Sequence, residues 1–220
     1  MSEKPMTIGV LGAGDVSALL DEAAGPPRLL VIYAPGAGSS LGDPFGAYLA
    51  NRLVEAGVSL LRFQFPYTEA GRRLPDRNPV LETTWRSAIE TARSLAPRLV
   101  AGGRSMGGRI ASQVVAHGTE VAGLALFAYP LHPPGRPDRA RDQHVASIAV
   151  PTLFVSGTKD AFGSPEELCA AAARMPNATL SLLEGADHGF NVPKATGRTR
   201  TDIWDEACAA LLRFLAGLDA

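Results

Sequence analysis

Leu99-Val100-Ala101-Gly102-Gly103-Arg104-Ser105-Met106-Gly107-Gly108-Arg109 is the stretch from which the rest of the chain can be read. A short apolar run climbs into a G-x-S-x-G sequence, and Ile110, Val114 and Val115 follow at helical spacing. Strand, tight turn and helix in that order predict a nucleophile elbow, with a serine hydroxyl exposed on a strained turn. Gly103 and Gly107, two places either side of Ser105, leave room where a Cβ would clash as strand and helix close on one another. The start of the helix supplies free backbone N–H groups that favour developing negative charge. A chain with 23 glycines also produces such pentapeptides by chance, so a base and an acid have to be found elsewhere in it.

Outward from this stretch, apolar strands and helical patterns alternate. Upstream, Leu29–Ala34 is a continuous apolar run of the kind buried on both faces of a parallel sheet. It leads into Pro35-Gly36-Ala37-Gly38-Ser39-Ser40, after which Asp43 and Pro44 read as N-cap and first helical position, with Gly57 closing the helix. Residues 58–65 form the next strand, and Leu81, Trp85, Ala88, Ile89, Ala92 and Leu95 mark another helix. Residues 7–11 and 16–20 read as two short strands about Gly12-Ala13-Gly14-Asp15. Those glycines begin a dinucleotide-binding pattern that Ser17 and the lack of a following helix break. Downstream come strands at 121–128, 151–156 and 179–183, a capping box at Ser164-Pro165-Glu166-Glu167, and a C-terminal helix burying Ile203, Trp204, Cys208 and Leu211. The proline- and arginine-rich segment 129–147 reads as loop. This alternation predicts a single α/β domain over 1–220, with a mostly parallel sheet of about seven to eight strands and helices on both faces.

Composition narrows the function classes. Hydrophobic residues make up 46% and charged residues 20% of the chain, ordinary for a globular protein. A net charge of −1 gives no global reason to expect nucleic acid or an anionic membrane as partner. The arginines at 72, 73, 77, 136, 139 and 141 are interleaved with Asp76, Asp138 and Asp142 and read as solvated surface. Cys169 and Cys208 lie in alanine-rich helical patterns and read as buried or semi-buried free thiols of a reducing compartment. No metal-ligand spacing, apolar leader or membrane-length run is present, which predicts a cytoplasmic protein without cofactor or metal.

In a parallel sheet, ligands meet the carboxyl ends of the strands, and three residues stand there. Ser105 follows the central strand, Asp160 in Gly157-Thr158-Lys159-Asp160 follows the next-to-last, and His188 in Gly185-Ala186-Asp187-His188-Gly189-Phe190 follows the last. A serine hydroxyl is a weak nucleophile that needs a positioned base; His188 can take its proton, and Asp160 can hold the imidazole tautomer. Each residue also has a plain structural reading, as N-cap, turn aspartate and loop-packing histidine, and Asp187 remains the fallback acid. The oxyanion donors are expected to be the N–H groups of Met106 and Ala37. Phe63, Phe65, Tyr67, Tyr129, Phe162 and Phe190 follow strand ends and are candidate pocket walls, with core packing the alternative. His117 suits a helix C-terminus, whereas His132 and His144 are expected in solvent or at the pocket entrance.

These three motifs, with Arg62-Phe63-Gln64-Phe65-Pro66-Tyr67 and Tyr129-Pro130-Leu131-His132-Pro133-Pro134-Gly135, resemble the α/β-hydrolase superfamily. They are most similar to its small, cap-less, dienelactone-hydrolase-like members. The resemblance implies Ser105 as nucleophile, Asp160 as acid and His188 as base, acting on a small-molecule acyl substrate. Pro35 stands where many relatives carry histidine, and position 105 is serine where dienelactone hydrolases proper use cysteine, so the family name assigns no substrate. The expected activity is hydrolysis of an ester or thioester of a small or soluble acyl group through an acyl-enzyme. The alternatives are an idle hydrolase-like interaction module or hydrolysis of another bond, such as a peptide.

Overall fold

The chain opens with two antiparallel strands, β1 (Ser2–Val10) and β2 (Gly14–Glu22), in a computed structural model that describes residues 2–218. Both are longer than their apolar alternation predicts, because backbone pairing carries the ladder from Gly9↔Asp15 out to Ser2↔Glu22 whatever the side chains. Then follow β3 (Leu29–Ala34), α1 (Pro44–Glu55), β4 (Ser59–Phe63), the single turn α2 (Pro66–Glu69) and α3 (Asn78–Arg93). The elbow lies between β5 (Arg98–Arg104) and α4 (Met106–Ala116), and is followed by β6 (Gly123–Phe127). The chain continues with β7 (Thr152–Gly157), α5 (Pro165–Ala172), β8 (Ala178–Leu183) and α6 (Arg200–Leu218).

The strands form one eight-stranded sheet in the order β1-β2-β4-β3-β5-β6-β7-β8, parallel from β4 to β8 with an antiparallel hairpin on the β4 edge. β5 lies at the middle of the parallel array, so the turn after it is set among neighbouring strand ends. Strand alternation splits the core in two. Leu30, Ile32 and Ala34 face one layer with Trp85 of α3 and Ile110 of α4, while Val31 and Tyr33 face the other with Leu49 of α1 and Leu211 of α6. At the hairpin edge the buried Arg62 makes a bidentate pair with the buried Asp21, at 2.7 and 2.9 Å, and also reaches Glu3. This ion pair ties β2 to β4.

Local chemistry sets the helix ends. Asp43 accepts from the N–H of Gly46 ahead of Pro44, and Gly57 takes φ +81° just past α1. Ser164 and Glu167 bond reciprocally across the first turn of α5. The segment 129–147 is not featureless loop: 3-10 turns form at Pro137–Arg139 and Gln143–Ser147, and Val145 and Ile148 anchor it in the core. Of the two free thiols Cys208 is buried, its pKa pushed up to about 12 by desolvation, but Cys169 is exposed, on the outer face of α5. No helix among the described residues is long and apolar enough to cross a membrane.

Candidate active site

Ser105 holds φ 50° and ψ −117°, a backbone conformation costly for a residue with a side chain, by about 1–3 kcal/mol. The turn persists because its neighbours over-determine it. The Ser105 N–H donates to Phe127 O at 2.8 Å, its carbonyl accepts from Arg109 N at 3.0 Å, and the indole of the fully buried Trp85 donates to Gly107 O at 3.0 Å. A Cβ on Gly107 would lie 2.2 Å from Ala34 O, and one on Gly103 2.4 Å from the same atom. Both glycines are therefore fixed by the closeness of β3 to the elbow.

The Ser105 Oγ lies 2.9 Å from His188 Nε2, and His188 Nδ1 lies 2.8 and 3.0 Å from the two carboxylate oxygens of Asp160. An ionised carboxylate only accepts, so Nδ1 carries the proton and Nε2 is left to accept from the serine hydroxyl. Asp160 is buried, and its Oδ1 also accepts from the N–H of Phe162, which fixes the plane of the carboxylate. The Phe162 ring stacks on the His188 imidazole, with centroids 4.1 Å apart at 28°. The loops after β7 and β8 interlock: Lys159 N donates to Ala186 O, Gly185 N donates to Thr158 Oγ1, and a Cβ on Gly157 would lie 2.0 Å from Ala186 O. Asp187 is exposed and accepts from the backbone and side-chain N–H groups of Asn191, so it braces its own loop rather than His188.

Two residues with backbone N–H groups border this center. The N–H of Met106 is the first of α4 and has no intrahelical acceptor. Ala37 lies exposed in the loop after β3, and both residues line the same cleft as Ser105 and His188. The loop backbone comes close to Ser105: a Cβ on Gly36 would lie 3.5 Å from that of Ser105. Pro35 leaves the loop intact, because Tyr67 supports it from below by accepting from the Gly38 N–H at 3.1 Å.

The cleft has a volume of about 570 Å³. Phe162 lines it, but Phe63, Phe65, Tyr67, Tyr129 and Phe190 do not. All five are buried, with Phe63, Phe65 and Trp85 packed edge to face and Phe190 against Phe45. A position after a strand end does not tell which way a ring points, and in this sheet those rings fill the core. The cleft wall also carries charged side chains, those of Asp43, Asp76, Arg104, Arg109 and Arg141. Sequence reasoning missed these residues; Arg104 and Arg109 were visible inside the elbow motif, but only the tertiary arrangement aims them. Of the arginines read as surface, Arg72 and Arg136 do pair with Asp76 and Asp138, while Arg141 turns to the cleft. His132 is not in solvent, and His144 is only partly exposed. His132 is buried against Glu167 at 3.1 Å, and His144 Nε2 lies 2.7 Å from Ser112 Oγ beneath α4. Among the described residues no group of three or more His, Cys, Asp or Glu is placed to hold a metal ion.

The family model described as "Alpha/beta hydrolase domain" matches residues 27–216. Among solved structures the chain is similar to Est1E from Butyrivibrio proteoclasticus, at 16% identity and TM-score 0.76 over 96% of this chain and 99% of that one. It is similar to XC6422 from Xanthomonas campestris, described as an α/β serine hydrolase without lid, at 18% identity and TM-score 0.73 over 97% and 95% of the two chains. A dienelactone hydrolase from Anabaena variabilis matches at 21% identity and TM-score 0.74 over 96% and 97%.

Proposed function

Since the chain belongs to the alpha/beta hydrolase domain family, we propose that it is a serine hydrolase cleaving an ester or thioester of a small or soluble acyl group. The observation that carries this reading is the unbroken line from Asp160 through His188 to Ser105, at 2.8 and 2.9 Å. In the first step Ser105 Oγ bonds to the acyl carbon while its proton passes to His188 Nε2; Asp160 stabilises the imidazolium. The carbonyl oxygen becomes an oxyanion between the N–H groups of Met106 and Ala37. As the intermediate collapses, the bond to the leaving oxygen or sulfur breaks and His188 returns the proton to it. Water then attacks the acyl-enzyme by the same route, releasing the acid and restoring Ser105.

The openness of the cleft supports a small or soluble substrate. The segment between β6 and β7, where larger lidded hydrolases would insert a cap, carries only two short 3-10 turns, the second anchored in the core by Val145. The test is labelling with a fluorophosphonate probe, read by intact mass and peptide mapping beside Ser105→Ala. A single adduct on Ser105, absent from the variant, is the expected result. A folded protein that takes no adduct would reject the hydrolase reading and favour an interaction module with an idle triad.

A further inference from the structure

Two arginines on the wall of the cleft make no direct ion pair among the described residues. Arg109 lies four residues after Ser105, one turn along α4, and Arg141 comes from the segment after β6. Neither guanidinium has a hydrogen-bond or ion-pair partner among the described residues, whereas Arg62, Arg72, Arg104, Arg136, Arg174 and Arg198 all do. Both also line a second groove, of about 570 Å³, that includes Gln113 and Gln143 and continues away from the serine. They therefore stand at the junction between the reacting center and an extension of the site.

The setting of Arg109 is costly to the free protein. Arg109 is partly withdrawn from water, and its pKa is lowered first by that burial and further by like-charge repulsion from Arg141, against the opposing influence of Tyr129 and Glu82. The chain as a whole is slightly acidic, at −1, so this is a local concentration of positive charge and not a basic surface. The carboxylates that share the cleft do not neutralise it. Asp43 accepts from the Tyr33 hydroxyl and the Gly46 N–H and faces Arg104, while Asp76 accepts from Arg72 through Oδ1 and keeps a buried Oδ2 without a partner. A guanidinium held half-buried without a partner is suited to a planar oxyanion arriving from outside.

We infer that Arg109 and Arg141 form an anion subsite, so that the substrate is an ester or thioester bearing a carboxylate or phosphate on the side of the cleft where α4 meets the segment after β6. This rests on the hydrolase reading for the word substrate, but the anion site itself does not. A neutral acyl group fills the cleft near Ser105 equally well, and the charged end selects among such groups.

Two measurements test it. Calorimetric titration of the Ser105→Ala protein at low salt with monomethyl adipate, and with neutral dimethyl adipate, reads binding without turnover. Steady-state kinetics of the wild type on 4-nitrophenyl hydrogen adipate and its methyl ester read preference. The anionic compound should be favoured at least tenfold in each measurement. The preference should fall severalfold in Arg141→Gln, which alters an exposed loop residue, and further when Arg109→Gln is added. Equal treatment of the charged and neutral compounds in both measurements, or a preference unmoved by the two substitutions in folded protein, overturns the subsite. Turnover without preference leaves the hydrolase reading standing while the subsite falls. Arginine-dependent binding without turnover of either ester does the reverse.

Discussion

Arg104, the residue before Ser105, donates from its guanidinium to the carbonyl oxygen of His188 at 3.0 Å. Strand β5 thus grips the backbone of the base as well as presenting the serine. The same guanidinium lies 4.0 Å from Asp43 and over the Phe190 ring at 5.4 Å, and Asp43 is in turn held by the Tyr33 hydroxyl. The distance between Oγ and Nε2 is therefore fixed through side chains from β3, β5 and the loop after β8. Removing this brace should loosen the base without unfolding the sheet. Arg104→Met is expected to lower kcat about tenfold or more while KM changes little, in keeping with the penalty for small misplacement. An equal loss in KM would mark Arg104 as a substrate contact instead.

The acid can be identified by a pair of substitutions. Asp160→Asn keeps the shape of the side chain but can donate to Nδ1, which favours the wrong imidazole tautomer; kcat should fall about 10³–10⁴-fold with the fold retained. Asp187→Asn, in a residue that serves Asn191, should leave kcat within a few-fold of wild type. Circular dichroism beside the kinetics separates lost chemistry from lost structure. The reverse ranking would move the acid to Asp187.

Tyr67 is a buttress and not a wall. Its hydroxyl accepts from Gly38 N–H, one residue beyond the proposed oxyanion donor Ala37. Tyr67→Phe leaves the ring in the core and removes only this acceptor. The loop donor should then be less well fixed, and kcat should fall roughly tenfold, within the range for a weakened oxyanion hole. A Tyr67→Phe enzyme indistinguishable from wild type would show that the glycine-rich loop holds its shape unaided.

His144 supplies a pH-dependent term in stability. Burial, with Arg109 and His117 nearby, lowers its pKa to about 4 against the opposing influence of Asp142, and Arg174 also lowers it. The unfolded chain, with an ordinary histidine pKa near 6.5, binds more protons than the folded one between these values. The contribution is thus complete above about pH 6.5 and is lost as pH falls towards 4. It amounts to at most about 3 kcal/mol and to less once solvent contact at the partly exposed ring is counted. Urea denaturation of wild type and His144→Gln across pH 4–8 checks this, since the gap between the two should narrow on the acid side. A constant gap would mean that the ring is not held neutral by its surroundings.

How far the sequence alone reaches depends on the range of the interactions involved. The elbow, the sheet class and the helix caps at Asp43 and Ser164 were legible because each rests on local backbone chemistry or on periodicity. Ser105, Asp160 and His188 could be picked out because parallel topology sends successive strand ends to one edge. Tertiary structure alone decided which aromatic rings face inward, since Phe63, Tyr67, Tyr129, Phe162 and Phe190 all lie at or after strand ends and only Phe162 reaches the cleft. It also decided which arginines find partners. Arg136 and Arg141 look alike in a charged segment, yet Arg136 pairs with Asp138 two residues away while Arg141 meets Arg109 across the fold. Local pattern settles what a backbone can form, whereas the direction and partner of a long side chain depend on contacts between segments far apart in sequence.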